Sequence, residues 1–236
     1  MTLVSLPAPS AAEIARELPD AEYARLSAVP IDLLAERFQA QADAARAFLA
    51  REGRPLWRAV SLDLVADARD EVTAVDGRGA RTVLASRRLA RSLRKAGAHA
   101  LVVALVGAGG ELEREAASRW RDRPDEAWFL DRLGAATVEH LLRDLRARHP
   151  SWTSPLAPGY AGWPIEDQAL LLRLVDPDAT SGVRLTDGGM LAPKNSMLVA
   201  FGVTCAEARP ADDVPCATCS LSPCAFRSEP RQRSLA

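Results

Sequence analysis

Apolar side chains are spaced along this chain in two rhythms. Leu34, Phe38, Ala42, Ala45 and Leu49 recur three or four places apart, which puts them on one face and predicts a single helix over residues 31–52, ended at Gly53. Residues 57–64 alternate loosely and read as a strand. Strands over 71–75 and 81–84 flank Asp76-Gly77-Arg78-Gly79 and predict a hairpin. Ser86 stands as a cap before the basic helix RRLARSLRKAG, whose charged face is read as solvated. The unbroken apolar run 100–106 is a buried strand, followed by Gly107-Ala-Gly-Gly110 and a helix, ELEREAASRW. Pro124 opens a long helix through residue 148, whose Gly134-Ala135-Ala136 centre leaves room for a neighbour or a ligand. A short helix over 166–175 and strands over 182–186 and 197–203 follow, the strands joined by DGGMLAPKNS. Before residue 31, rich in Ala and Pro, only 11–18 reads as helical, and no internal repeat is present.

Between the long helix and the short one lies Ser154-Pro-Leu-Ala-Pro-Gly-Tyr-Ala-Gly-Trp-Pro164. Pro155, Pro158 and Pro164 lack backbone donors, so neither a helix nor a central strand passes through. Gly159 and Gly162 supply turns, while Tyr160 and Trp163 concentrate ring surface in a chain with only 5% aromatics. Such a rigid, aromatic loop is either a ligand lip or a connection whose rings cap a core.

A length of 236 residues, 48% hydrophobic and 26% charged, fits a folded chain of one large domain or two small ones. The net charge of −1 offers nucleic acid and acidic membrane no general attraction. No apolar run reaches membrane-spanning length, and the first residues lack the charged-then-apolar order of a signal peptide. A cytoplasmic location is the resulting expectation. Without Ser-His-Asp, HExxH or P-loop sets, acyl-transfer and NTP-driven chemistry find no support. The glycine loop 107–110 is not GxGxxG, and close packing is the better reading of it. His99, before the buried strand, reads as a satisfied histidine, and His140 and His149 read as solvated or dipole-facing.

Three segments taken in register resemble the reactivation (activation) domain of cobalamin-dependent methionine synthase, in its stand-alone bacterial form. LAPGYAGWPIEDQALLLRLVD looks like the family's PGY segment. RLTDGGMLAPKNSM resembles its LTES…M…P…S turn through Leu185, Thr186, Met190, Pro193 and Ser196, with Asp187 in place of Glu. The helix from Asp131 to Glu139, with Gly134 and Ala136 between, is similar to its DxxGxAxxE helix. The resemblance covers roughly residues 81–203. It implies an α+β, C-shaped activation-domain-like fold: a twisted antiparallel sheet with surrounding helices, here with a helical N-terminal segment. Three parts are expected: residues 1–80 packed on the main domain, a core over 81–204 and a cysteine-containing tail over 205–236.

The implied task is reductive reactivation, in which the domain docks on the cobalamin-binding module of a separate chain and presents S-adenosylmethionine. Such work is mostly positioning, with an electron donor as a further partner, so no catalytic side chain is expected. The family match assigns the cofactor-binding role to Ala157, Pro158, Gly159 and Tyr160, supported by Glu139 and Asp187. Two matches fail. The family's carboxylate-binding arginine falls on Pro155, and a helical glutamate falls on Ala135. Losing a guanidinium–carboxylate contact costs about 1.5–3 kcal/mol. Arg143 or Arg146 reaches in from the helix, or S-adenosylmethionine binds poorly, or another ligand binds. The competing function is a non-catalytic metal- or iron–sulfur-binding adaptor that kept the fold and lost the ligand.

All four cysteines fall within twenty residues, Cys205, Cys216, Cys219 and Cys224. A CxxC turn aims two thiolates at one point, so zinc or an iron–sulfur cluster is one reading, beside redox-active thiols and ordinary reduced cysteines. The ending PCATCSLSPCAFR is also similar to the CxxCxxxxCxxR tail of stand-alone relatives, which pairs Arg227 with Cys216, Cys219 and Cys224 and leaves Cys205 as an extra.

Overall fold

The computed structural model describes residues 2–3, 8–67, 70–205, 216, 224 and 227. Its centre is the apolar run β5 (Ala100–Gly107), every residue of which is buried. A strand apolar on both faces must be covered on both, and the chain supplies a layer for each. β2 (Leu56–Asp67) runs antiparallel beside it from Leu56↔Gly107 to Asp63↔Ala100. β8 (Ser196–Val203) covers the opposite edge from Gly107↔Ser196 to Ala100↔Val203. β3 (Val72–Val75) and β4 (Arg81–Leu84) form the expected hairpin, and β1 (Thr2–Leu3) pairs with β2 before β3 does. The sheet order is therefore β4-β3-β2-β5-β8, all antiparallel. Residue 80 lies in the β3–β4 turn, where Asp76 accepts from the amides of Arg78 and Ala80.

Alternation along β5 divides the interior. Val102, Ala104 and Val106 face a helical layer of α1 (Ala11–Glu17), α2 (Asp20–Ser27), α3 (Ile31–Arg37), α4 (Gln39–Glu52), α6 (Glu111–Arg119) and α7 (Pro124–Ala147). Leu101, Val103 and Leu105 face α5 (Arg87–Ala96) and α8 (Gln168–Val175), with Trp163 in the same core. This mixed architecture bears out the expected α+β class with an antiparallel sheet and surrounding helices.

Two local expectations change. Residues 31–52 form two helices, because Phe38 leaves the helical region (φ −121°, ψ 9°) to lay its ring 5.4 Å from that of Phe129. Residues 20–27, read as irregular, form α2, whose Tyr23 hydroxyl donates to the Phe129 carbonyl at 2.7 Å in the interior. The cap at Ser86 is as expected, its hydroxyl accepting from the Leu89 amide at 3.0 Å. Among the described residues no helix is long and apolar enough to cross a membrane.

Candidate functional site

The outer edge of β8 organises the central loop. Leu156 exchanges two backbone hydrogen bonds with Ala200, at 3.0 and 2.8 Å, and the Thr153 amide donates to the Gly202 carbonyl at 2.9 Å. Residues 153–156 thus run antiparallel to β8 until proline and glycine turn the chain away. Beyond Ala157 the loop ties itself: the Tyr160 amide donates to Ala157, Trp163 to Tyr160, and Gly159 to Trp163. Gly159 holds φ +90° in doing so, a conformation that a Cβ would strain. Trp163 is buried in the second core, its indole N–H donating to Asp167 at 2.8 Å. Of the two rings expected at a lip, Trp163 caps a core. Tyr160 is half-buried at the surface, with the Arg88 guanidinium 5.9 Å from its ring centre.

Facing this loop is the segment after α8. β6 (Arg184–Leu185) and β7 (Leu191–Ala192) pair across a turn closed at Thr186, whose hydroxyl accepts from the Met190 amide at 3.1 Å. The matched Thr and Met positions are thus the two ends of that turn. The next turn, over Pro193, Lys194 and Asn195, rests on α7. An added Cβ at Gly134 would lie 2.2 Å from Asn195 Nδ2, so the small centre of that helix is occupied by Asn195. One turn earlier, the buried Asp131 carboxylate contacts Lys194 Nζ with Oδ1 and Arg132 with Oδ2 at 2.9 Å. The Lys194 amide donates to Glu113 of α6 at 2.8 Å, and the Ala108 amide to the Asn195 carbonyl at 2.9 Å. The glycine passage 107–110 is packed against this turn, as its sequence led us to expect.

A cleft of about 470 Å³ opens between the two segments. Ala157, Pro158 and Tyr160 of the loop line it together with Thr186, Met190 and Met197. Glu113 and Lys194 stand beside them as an anion and a cation. The hydroxyl of Ser196, also lining the cleft, is buried without a hydrogen-bond partner. The structure therefore brings Ala157, Pro158 and Tyr160 of the expected set together. Gly159 is an exposed turn residue, and Asp187 is exposed beside Thr186; neither lines the cleft. Glu139 is elsewhere, half-buried near Arg25 of α2, and burial raises its pKa above the usual carboxylate range against a smaller lowering by Arg25. Arg143 pairs with the buried Glu22 of α2 and does not reach the loop. Lys194 and Glu113 were missed from sequence because their meeting depends on turns distant along the chain.

Among solved structures, the chain is similar to the crystal structure of the MetH reactivation domain bound to AdoHcy, with a TM-score of 0.67 and 14% identity over 90% of this chain and 79% of that one. The fold is that of the methionine synthase reactivation domain. No family model and no curated protein matches the sequence. In this reactivation-domain fold the cleft joins the PGY loop to the LTD turn, two of the three segments on which the sequence resemblance rests.

The cysteines are divided. Cys205 is exposed just beyond β8, its Sγ 3.7 Å from His99 Nδ1. Cys216 and Cys224 are linked through Arg227, whose guanidinium donates to the Cys216 carbonyl at 2.7 Å and whose amide donates to the Cys224 carbonyl at 3.2 Å. Cys219 lies outside the described residues. Among the described residues no three His, Cys, Asp or Glu side chains converge as a metal site requires. His149 is stacked on Trp152 at 3.9 Å, and its burial lowers its pKa.

Proposed function

We propose that this protein binds an S-adenosylmethionine-type ligand in the cleft between the PGY loop and the Thr186–Lys194 side, and serves the reductive reactivation of a cobalamin-dependent methionine synthase or a related corrinoid methyltransferase. The observation that carries the reading is the cleft itself. Its volume of about 470 Å³ falls within the range of small-molecule sites. Apolar walls suit a nucleoside and a thioether, while Glu113 and Lys194 supply the opposite charges that an amino-acid end requires. The unpartnered Ser196 hydroxyl is a further polar group for a ligand to satisfy. The neighbouring structure holds AdoHcy, the thioether that remains once S-adenosylmethionine has given up its methyl group.

On this reading the partner is the cobalamin-bearing module of another chain, whose corrinoid receives one electron from a separate donor and then the sulfonium methyl. This chain's own work is positioning. Tyr160 forms one wall, held beneath Arg88, and the loop's internal hydrogen bonds keep Ala157 and Pro158 fixed before the ligand arrives. Met190, 59% exposed on the cleft, adds apolar surface at the mouth. The cysteine tail, which we read as a zinc or iron–sulfur site on Cys216, Cys219 and Cys224 with Cys205 as an extra, would belong to electron delivery or to docking.

Calorimetric titration of AdoHcy into the pure protein is the test. Binding is expected, and Tyr160→Ala should weaken it about tenfold or more, as loss of an aromatic wall does. Pro155 and Ala135, which stand where the family has charged residues, favour the adaptor as a second reading. Failure of the parent protein to bind AdoHcy, with the corrinoid partner added as well as without it, would favour that second reading over the first.

A further inference from the structure

The central loop over 154–164 contains no arginine, and Arg143 is turned toward Glu22. Among the described residues lining the cleft, Lys194 is the only cation. Resting on the ligand class above, we infer that Lys194 holds the carboxylate of the ligand's amino-acid end and that Glu113 takes its ammonium. The backbone of Lys194 is fixed by the hydrogen bond to Glu113, and Asn195 next to it is seated against Gly134. Its ammonium is not free to wander, because Asp131 contacts it from below. Asp131 nevertheless shares its single negative charge with Arg132, so the trio carries a net charge of +1. A carboxylate entering the cleft neutralises that excess without displacing a buried group. Glu113 uses Oε2 for the Lys194 amide, leaving Oε1 for a donor from the ligand. A cation and an anion fixed by one hydrogen bond prefer a zwitterion to a simple anion, which Glu113 would repel.

The prediction concerns discrimination between ligands that share a nucleoside. AdoHcy has the amino-acid end, whereas 5′-methylthioadenosine lacks it. The parent protein should bind AdoHcy about tenfold or more tightly over 5′-methylthioadenosine, as a charge-assisted contact implies. Lys194→Met should bring the two affinities together by weakening AdoHcy alone, and Glu113→Gln should do so in part. Unchanged binding of 5′-methylthioadenosine shows that the variant is folded and its cleft intact. Equal affinities in the parent, or a Lys194→Met protein that keeps the preference, would overturn the assignment while leaving the ligand class standing. A parent protein that binds neither compound would remove the ligand class itself.

Discussion

Gly134 faces Asn195 with only a hydrogen between its backbone and a buried amide. An alanine there would place its Cβ 2.2 Å from Nδ2 and 2.8 Å from Cγ of Asn195, a side chain held by the turn on which Lys194 sits. Overpacking of this kind costs about 1–3 kcal/mol. Gly134→Ala should therefore lower stability in urea denaturation by that amount and weaken AdoHcy binding in the same protein, because the turn must move. A loss of stability with unchanged binding would show that the Lys194 turn is not tied to the ligand. The need for a small residue here was legible from the Gly-Ala-Ala run. The identity of the neighbour was not, since Asn195 lies sixty-one positions later (195 − 134).

The elements most readable from sequence were those whose cause is local. Ser86 caps α5 through its own hydroxyl, Asp76 closes the β3–β4 turn through nearby amides, and β5 is apolar throughout its length. Elements that depend on distant partners were harder. α2 has Pro19 at its N-cap without a side-chain hydrogen bond, and its order comes from packing on α7 through Tyr23 and Phe129. The same α2–α7 contact bears on Glu139, which the family match assigned to the ligand site. Its pKa is raised by burial, with Arg25 opposing. A carboxyl whose pKa is higher folded than unfolded favours folding most below the ordinary carboxylate value, and that contribution is lost as pH rises through the raised value. Glu139→Gln removes the charge, so it should be at least as stable as the parent at pH 7.5 and show a flatter decline from pH 4.5. Urea unfolding of both proteins at the two pH values tests this. A variant less stable by more than about 1 kcal/mol at pH 7.5 would mean that the ionised carboxylate makes a net favourable contact, as a hydrogen bond to a charged group does.

At the scale of the whole molecule, the sheet is a partition with one core on each side, and the cleft lies where segments from both meet. Tyr160 packs against both clusters, and β8 carries Leu198 toward one and Phe201 toward the other. The first four helices belong to the side of Phe201, where Ile14, Leu18, Tyr23, Leu26, Leu34 and Leu49 are almost wholly buried. Fully burying a large apolar side chain contributes about 1.5–3 kcal/mol. Six of them together amount to roughly 10 kcal/mol or more, as large as the net stability of a typical domain, about 5–15 kcal/mol. Their removal would also bare the face of α7 that receives Tyr23, while the Lys194 turn rests on another part of that helix. A protein beginning at residue 54 should accordingly lose its near-ultraviolet circular dichroism and its cooperative urea transition, and AdoHcy binding with them. Cooperative unfolding and binding retained in the shortened chain would show instead that the sheet, α6 and α7 suffice, and that the N-terminal helices are an addition to a domain already complete.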